Sequence, residues 1–231
     1  MGKDDVPTFG KKLAREVYDP SGGRNFANPG GDHANVIAHD QWRKAVQAYL
    51  ATISFVDAHV GRLLDALEQS GHADNTIVVL WGDHGWHLGE KQHWRKHALW
   101  ETTTRTTLVV SAPGSTAMHK ICERPVSLID LYPTLVELCG LPARDDLDGQ
   151  SIVPLLKNPK MKWDRPALTT YGPGNHAVRT ERWRYIRYHD GGEELYDHNV
   201  DPHEWQNLAT SSEHADVIRE LRKSLPAEQQ P

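Results

Sequence analysis

An aspartate and a histidine stand side by side at the start of the most polar stretch of the chain. Asp83 and His84 follow an apolar run rich in β-branched residues, and four histidines fall within residues 84–97. A carboxylate suits a hard cation, and an imidazole extends the choice to zinc or manganese. The pair therefore predicts a metal site. The alternative is a hydrated loop in which Asp83 caps the next turn.

Cationic and aromatic side chains follow at a separation that a folded-back loop would close. Arg95 and Lys96 lie twelve and thirteen residues beyond Asp83. A cation near a metal would hold an anionic substrate group and offset charge that develops in a transition state. Trp86 is a candidate wall of the same pocket. The alternatives are a solvated lysine and a tryptophan packed in the core.

Hydrophobic periodicity predicts the elements that would position these residues. A stripe at spacings of three and four predicts a helix over residues 41–70, capped by Asp40 and ended by Gly71, with a coiled coil as the alternative. Residues 76–81 and 107–111 predict buried strands. Alternating helices and buried strands favour a parallel sheet with helices on both faces. Ligands of such sheets bind beyond the strands' carboxyl ends, where Asp83 falls.

A second pattern follows residue 166. Residues 183–188 and 193–197 flank a glycine-rich turn and predict a β-hairpin, and residues 213–225 predict a terminal helix. Another helix is predicted over residues 131–139, with Asp130 at its N-cap. We therefore expect an α/β domain over residues 1–165 and a small hairpin-and-helix subdomain over residues 166–231.

Composition excludes several classes of protein. The 231 residues carry a net charge of −5, which gives no electrostatic footprint for nucleic acid. Apolar runs are far shorter than the roughly 20 residues that span a bilayer, so we expect no membrane insertion. Cys122 and Cys139 are predicted to be buried thiols, although one bridge between them is feasible. The first residues lack the apolar segment of a secretory signal, and the compartment stays open.

The polar stretch and several others, in order, resemble the sulfatase family of the alkaline phosphatase superfamily, in its iduronate-2-sulfatase-like branch. The segments that carry the resemblance are GDHGWHLGEKQHWRK (82–96), YLATISFVDAHVGRLL (49–64), DLYPTL (130–135), LDGQS (147–151), ELYD (194–197) and DPHEWQNL (201–208). The resemblance implies an alkaline-phosphatase-like mixed sheet flanked by helices.

The resemblance also implies roles for single residues. Asp83 and His84 resemble a pair that coordinates Ca²⁺, and histidine beside the metal aspartate indicates the iduronate-sulfatase-like branch. Lys96 resembles the catalytic lysine that contacts the sulfate ester, and Arg95 and Trp86 are the further substrate-binding candidates. The family nucleophile is a formylglycine made from cysteine in Cys-x-Pro/Ala-x-Arg, and neither Cys122 nor Cys139 lies in that motif.

We therefore expect a sulfuric ester hydrolase fold that lacks its N-terminal half and is inactive by itself. The loop composition of residues 19–33 agrees with a chain that continues an earlier structure. The expected partners are a sulfated glycan or small molecule and either the missing half or a second copy. The alternatives are a phosphoesterase of the same superfamily and a non-catalytic module that binds anionic glycans.

Overall fold

The computed structural model describes residues 5–15 and 31–227. Its helices are α1 (Thr8–Arg15), α2 (Gly31–Ala38), α3 (Trp42–Gln69), α4 (Glu101–Thr104), α5 (Leu131–Leu138), α6 (Val153–Lys157) and α7 (Ala215–Arg222). Its strands are β1 (Val78–Trp81), β2 (His87–Leu88), β3 (Trp94–Arg95), β4 (Leu108–Ser111), β5 (Ala167–Thr170), β6 (His176–Arg179), β7 (Trp183–Arg187) and β8 (Glu193–Asp197).

The long helix predicted from the apolar stripe is confirmed as α3, but its predicted cap is wrong. Gln41 is the N-cap, and no side chain caps the helix there. Asp40 instead has a φ of +50° and turns the chain between α2 and α3. Gly71 adopts the left-handed conformation, with a φ of +75°, and ends the helix as predicted.

The two strands predicted at the centre of a parallel sheet form an antiparallel pair. Val78 is paired with Ser111 and Trp81 with Leu108, and within the described ranges these two strands make a sheet of their own. The prediction of a parallel sheet is wrong because the connection, residues 82–107, holds a short hairpin and one helical turn. A parallel pair needs a crossover that carries the chain back to the starting edge.

Neither strand is covered on both faces. Leu80 is 39 % exposed, Trp81 and Val109 are about half exposed, and α3 has no fully buried residue. A β-branched run predicts a strand, but the run does not say which element packs on it. The prediction of buried strands is therefore wrong for the described residues.

The C-terminal hairpin is confirmed and belongs to a larger sheet. Strands β5 to β8 form a four-stranded antiparallel meander in chain order. Alternation along the strands sends Tyr185 and Leu195 towards α7, and Ile186 and Tyr196 towards α1. Ala98, Leu99 and Trp100, which follow the polar stretch directly, are buried in the core on the α1 side. The division at residue 165 stays a prediction, with β5 beginning two residues later.

Single observations bear on three further features of the chain. Cys122 and Cys139 are both exposed and unbridged, so the prediction of buried thiols is wrong. Residues 31–33 of the predicted 19–33 loop belong to α2, and the remainder lies outside the described ranges. Within those ranges, no helix combines the length and apolar character of a membrane span.

The turn before α5 depends on one buried carboxylate. Asp130 accepts hydrogen bonds from the backbone N–H of Ser127 (3.0 Å) and of Gln150 (2.9 Å), and it pairs with Arg165. Its side chain is only 1 % exposed. The carboxylate thus joins the start of α5 to the segment that leads into α6.

We expect Asp130→Ala to lower the free energy of unfolding by about 3 kcal/mol, because it strands two backbone N–H groups and a guanidinium. Urea unfolding followed by tryptophan fluorescence measures the loss. Asp146→Ala is the matched control, because Asp146 also pairs with an arginine, Arg144, but is exposed. Equal midpoints for the two variants would contradict this account.

Candidate active site

Asp83 and His84 lie in a tight turn directly after β1. The backbone N–H of Gly85 donates to the carbonyl of Thr103 at 2.6 Å, so the turn is held against the segment that leads into β4. A Cβ atom on Gly85 would meet the carbonyl oxygens of Thr102 and Arg105. The close approach of the two backbones therefore requires glycine at this position.

The two side chains present their ligand atoms to the same point. Nε2 of His84 lies 3.3 Å from Oδ2 of Asp83, whose side chain is 82 % exposed. Nδ1 of His84 lies 2.8 Å from the carbonyl oxygen of Gly85. A hydrogen bond donated by Nδ1 leaves Nε2 with its lone pair free to coordinate a metal.

This geometry fits a divalent cation in part. Two ligand atoms that each lie about 2.3–2.4 Å from an ion, at right angles, are separated by about 3.3 Å. Calcium takes six to eight ligands, mostly oxygen atoms. Asp83 and His84 can therefore supply one corner of a coordination shell, and the other ligands have to come from other residues.

The polar stretch folds back on itself, which is the condition under which Arg95 and Lys96 could approach Asp83. Strands β2 and β3 form a short antiparallel hairpin that pairs His87 with Arg95. The next residues on its open end are Trp86 and Lys96. The hairpin thus brings the chain, at Lys96, back towards the turn that holds Asp83 and His84.

The three other candidate residues, Trp86, Arg95 and Lys96, lie in different environments. The Trp86 ring contacts both His84, at 6.2 Å between centroids, and Tyr49 of α3, at 5.9 Å, so it lines the candidate metal turn. Arg95 forms an ion pair with Asp32 of α2, at 2.7 Å. Lys96 is half-buried, and its carbonyl oxygen lies 2.6 Å from Nε2 of His93.

The loop that carries Lys96 has an unusual backbone. Seven non-glycine residues among those described have a positive φ, and Lys91, Gln92, Arg95 and His97 are four of them. Left-handed backbone at such residues costs energy and persists only where the surroundings fix it. Gly89 adds a φ of +114°, with the ring of Trp42 where a side chain would be.

A buried layer of charged side chains, Lys91 and Glu194, holds this loop on the side that faces the protein interior. Nζ of Lys91 donates to the hydroxyl of Tyr196 at 3.1 Å and to the carbonyl of Glu204, and the lysine is 4 % exposed. Glu194, which is fully buried, accepts hydrogen bonds from Trp100 at 2.8 Å and from Tyr188 at 2.6 Å. The loop is thus tied to β8 of the C-terminal sheet.

Burial shifts the proton equilibria of this layer. Desolvation lowers the pKa of Lys91, against the attraction of Glu194 and Glu204, and raises the pKa of Glu194, against the attraction of Lys91. The pKa of His87 lies well below its usual value, because of burial and of the neighbouring His93 and Lys91. His87 is therefore a neutral partner of Thr103, 2.6 Å away. The sequence pattern does not reveal this layer, since buried and solvated lysines look alike in a polar stretch.

A second ionic cluster lies beside this layer. Ligand atoms of Glu101, His198 and Glu204 lie within 4.8 Å of one another, so the group has the composition of a metal site. Arg184 already pairs with both carboxylates: its Nη2 contacts Glu101, and its Nε lies 2.6 Å from Glu204 without hydrogen-bond geometry. Arg179 also pairs with Glu101, at 3.1 Å. Because the arginines balance the negative charge, we interpret the cluster as structural.

The family is established by comparison with known proteins. A model of the sulfatase family matches residues 11–141, and a model of the C-terminal region of N-sulphoglucosamine sulphohydrolase matches residues 89–231. The chain belongs to the sulfatase family, which confirms the resemblance to that family, and its iduronate-2-sulfatase-like branch stays a prediction.

Two curated relatives show how much of the family's length the chain covers. A sulfatase of Formosa agariphila is 46 % identical over 190 residues, which are 82 % of this chain and 37 % of that protein. An N-acetylglucosamine-6-O-sulfatase of Bacteroides thetaiotaomicron is 30 % identical over 80 % of this chain and 36 % of that protein. The chain thus spans little more than a third of either relative.

Solved structures agree on the fold. A 2-O GAG sulfatase superposes with a TM-score of 0.75 at 25 % identity, covering 95 % of this chain and 48 % of that one. A protein in complex with its substrate D-glucosamine-2-N,6-O-disulfate gives 0.65 at 30 % identity, over 76 % and 38 % of the two chains. The phosphonate monoester hydrolase of Agrobacterium radiobacter gives 0.63 at 27 % identity, over 74 % and 38 %.

The ion pairs of Glu101 should make the free energy of unfolding depend on pH. Burial opposes the ionisation of Glu101, but Arg184 and Arg179 outweigh it and lower its pKa from 4.5 to about 2. Ionised Glu101 therefore contributes its full stabilisation of the folded state above about pH 4.5, and this stabilisation is lost as the pH falls towards 2. Between about pH 6 and pH 3, the wild type should lose about 2 kcal/mol more than Glu101→Gln in urea unfolding.

The matched control for this experiment is Glu220→Gln, which removes an exposed carboxylate paired with Lys223. Its pH profile should follow that of the wild type. If the Glu101→Gln profile also ran parallel to the wild type, the arginines would not hold Glu101 ionised.

Proposed function

We propose that this chain forms part of the active site of a sulfuric ester hydrolase of the iduronate-2-sulfatase-like branch. The observation that carries the proposal is the Asp83–His84 pair, with ligand atoms 3.3 Å apart after β1, on the turn that leads into a hairpin in which His87 pairs with Arg95, the neighbour of Lys96. The family resemblance assigns these residues to the metal and to the sulfate ester. The four left-handed residues of the loop support a functional interpretation, because such strain clusters at active sites.

Asp83 and His84 would hold Ca²⁺ together with ligands from outside this chain. The bound ion would draw charge from the oxygens of the sulfuryl group. Lys96 would bind the same group through its amino group, and this interaction would strengthen as negative charge builds up on those oxygens. Trp86 would wall the pocket beside His84. Arg95 would reach the substrate only if its pair with Asp32 opened.

The substrate class that we propose is a sulfated glycan or a small sulfate ester. Three of the matches support it: a sequence named as an N-acetylglucosamine-6-O-sulfatase, a structure of a 2-O GAG sulfatase, and a structure with a bound disulfated glucosamine. Because a phosphonate monoester hydrolase has a similar fold, phosphorus esters are the second candidate class of substrate. Tetrahedral anionic esters of both kinds carry charge that a metal and a lysine can stabilise.

A chimera tests the activity. This chain would replace the matched 190 residues of the Formosa agariphila sulfatase. We expect the chimera to hydrolyse aryl sulfates and sulfated glucosamines in preference to phosphonate monoesters. Lys96→Ala should lower kcat/KM by about 100-fold or more, since it removes a charge that contacts the reacting group. Lys120→Ala, an exposed lysine elsewhere, is the matched control.

Each contrary result has its own meaning. A folded chimera that prefers phosphonate esters would favour the phosphoesterase. A chimera that binds sulfated glycans without turnover would favour a binding module. Activity that survives Lys96→Ala would show that this lysine is not part of the active site.

The chain by itself should bind metal weakly and turn over no substrate. Two ligands are far fewer than the six to eight that calcium takes, so calorimetry should give a Ca²⁺ dissociation constant above about 100 μM. Neither cysteine lies in the motif that supplies the family nucleophile. Micromolar binding that Asp83→Asn abolishes, or sulfatase turnover by the purified chain, would show that these 231 residues complete the site.

A further inference from the structure

A buried histidine joins α1 to the loop that carries Lys96. His93 lies between β2 and β3 and is only 2 % exposed. Its Nδ1 lies 3.0 Å from the carbonyl oxygen of Ala14, in the last turn of α1, and its Nε2 lies 2.6 Å from the carbonyl oxygen of Lys96. A single imidazole ring therefore connects the helix to the residue that the family resemblance assigns to the sulfate ester.

Both partners of this ring can only accept hydrogen bonds. A neutral imidazole has one N–H and one nitrogen lone pair, whereas an imidazolium donates from both nitrogens. If His93 were neutral, a lone pair would face a carbonyl oxygen at hydrogen-bond distance, and a buried polar atom without a partner is costly. The two distances therefore indicate an imidazolium that donates to Ala14 and to Lys96.

The position of His93 at the end of α1 favours the same charge. The carbonyl groups in the last turn of a helix carry partial negative charge, which stabilises a nearby cation. The effect is largest where the cation is partly or fully removed from water. His93 meets both conditions, because it is buried and its partner on α1 belongs to that last turn.

The neighbouring histidine has the opposite kind of surroundings. The ring centroids of His87 and His93 are 4.8 Å apart. The hydroxyl of Thr103, 2.6 Å from Nδ1 of His87, can donate to that ring, and the backbone of Arg95 also forms a hydrogen bond with it. One donor and one carbonyl acceptor satisfy a neutral ring. Because two imidazolium rings at this distance would repel each other, the charge belongs on His93.

Charges of both signs surround the two rings. Trp100, whose ring centroid lies 6.2 Å from that of His93, donates a hydrogen bond to the buried carboxylate of Glu194. The ammonium group of Lys91 lies 5.2 Å from the same tryptophan ring. The titratable and charged groups around His93 are those of Arg15 on α1, His87 on β2, Lys91 and Lys96 on its own loop, and Glu194 on β8. The two carbonyl acceptors are what distinguish His93 from His87.

We propose that His93 is a positioning residue, which as an imidazolium holds the Lys96 loop against α1 and which releases the loop when it loses a proton. Histidine is the side chain whose charge ordinarily changes between about pH 5 and pH 8. A neutral ring can donate only one of the two hydrogen bonds, and the bond that remains loses the added strength of a charged donor. The proposal about the loop stands on these contacts, and only its consequence for catalysis rests on the proposed function.

Nuclear magnetic resonance and hydrogen exchange test the proposal on the full 231-residue chain. The probe is the ¹⁵N-labelled imidazole of His93, assigned through bonds to its own backbone. At about pH 6 we expect protons on both ring nitrogens of His93 and on one nitrogen of His87. At about pH 8.5, His93 should have lost one proton. Exchange of the amides of residues 95–98, corrected for the intrinsic effect of pH, should then be about 10-fold faster relative to the amides of β7.

A glutamine variant separates the charge from the packing. His93→Gln keeps a donor for one carbonyl but carries no charge at any pH. The amides of residues 95–98 should therefore exchange about 10-fold faster than in the wild type at pH 6 and show no further change at pH 8.5. His72→Gln is the matched control, because His72 is exposed after the end of α3. The wild-type comparison at two pH values needs no variant, so the test holds even if His93→Gln does not fold.

The consequence for catalysis is measured in the chimera with the Formosa agariphila sulfatase. His93→Gln should lower kcat/KM about 10-fold at pH 6, and the difference from the wild type should shrink as the pH rises. In a chimera that also carries Lys96→Ala, His93→Gln should have little further effect, because His93 acts through Lys96. A merely structural role would add its loss to that of Lys96→Ala.

Three outcomes would overturn the proposal. One is a His93 ring with a single proton at pH 6 while the amides of residues 95–98 remain protected. The second is a ring that keeps both protons at pH 8.5. The third is an exchange rate of residues 95–98 that follows neither the protonation of His93 nor its replacement. A chimera without sulfatase activity would count against the proposed function, and the resonance and exchange results would still decide the role of His93.

Discussion

The contact between Lys91 and the C-terminal sheet holds the candidate active site in place. Lys91 comes from the loop between β2 and β3, yet its ammonium group lies under that loop, against Tyr196 and within the field of the buried Glu194. Its ammonium group also lies over the rings of Trp100 and Tyr196, at 5.2 and 4.6 Å. A buried charge with these partners is costly to move, because any displacement leaves a carboxylate and an ammonium without compensation.

This constraint explains why a strained loop can persist. Left-handed backbone at Lys91, Gln92, Arg95 and His97 would relax in an isolated peptide. Here the loop is fixed on its inner side by Lys91 and by His93, whose Nδ1 lies 3.0 Å from the carbonyl of Ala14 in α1. Lys96 comes directly before one of the strained residues, so its position depends on the buried groups Lys91 and His93.

Local patterns predicted the elements well and their partners poorly. The stripe of α3, the glycine that ends it and the hairpin of β7 and β8 all follow from interactions within a few residues, which the sequence displays directly. The antiparallel pairing of β1 with β4 depends on how residues 82–107 fold, and hydrophobic periodicity carries no information about the path of that connection. For the same reason, the exposure of both cysteines and of Leu80 and Val109 could not be predicted.

The candidate site divides along a similar line. Asp83 and His84 could be proposed because two adjacent side chains of types that bind metals make a visible pattern after a strand, and the family resemblance implies roles for them. Lys91, Glu194 and Glu101 stayed hidden because charged residues are solvated far more often than they are buried. Only the fold brings Lys91 to Tyr196 across 105 positions of the chain.

The two sides of the site therefore differ in kind. Behind the loop, Lys91 is 4 % exposed and fully engaged, and the four-stranded sheet is covered on both faces by α1 and α7. In front, Asp83 presents a side chain that is 82 % exposed, beside strands whose outer face is open. A metal site needs ligands from several directions, and within the described part of the chain the two proposed ligands, Asp83 and His84, lie on one side. Rigidity behind and exposure in front are what a preorganised part of a larger site requires: it must hold its own geometry before the remaining ligands arrive, because ordering it on assembly would cost binding energy.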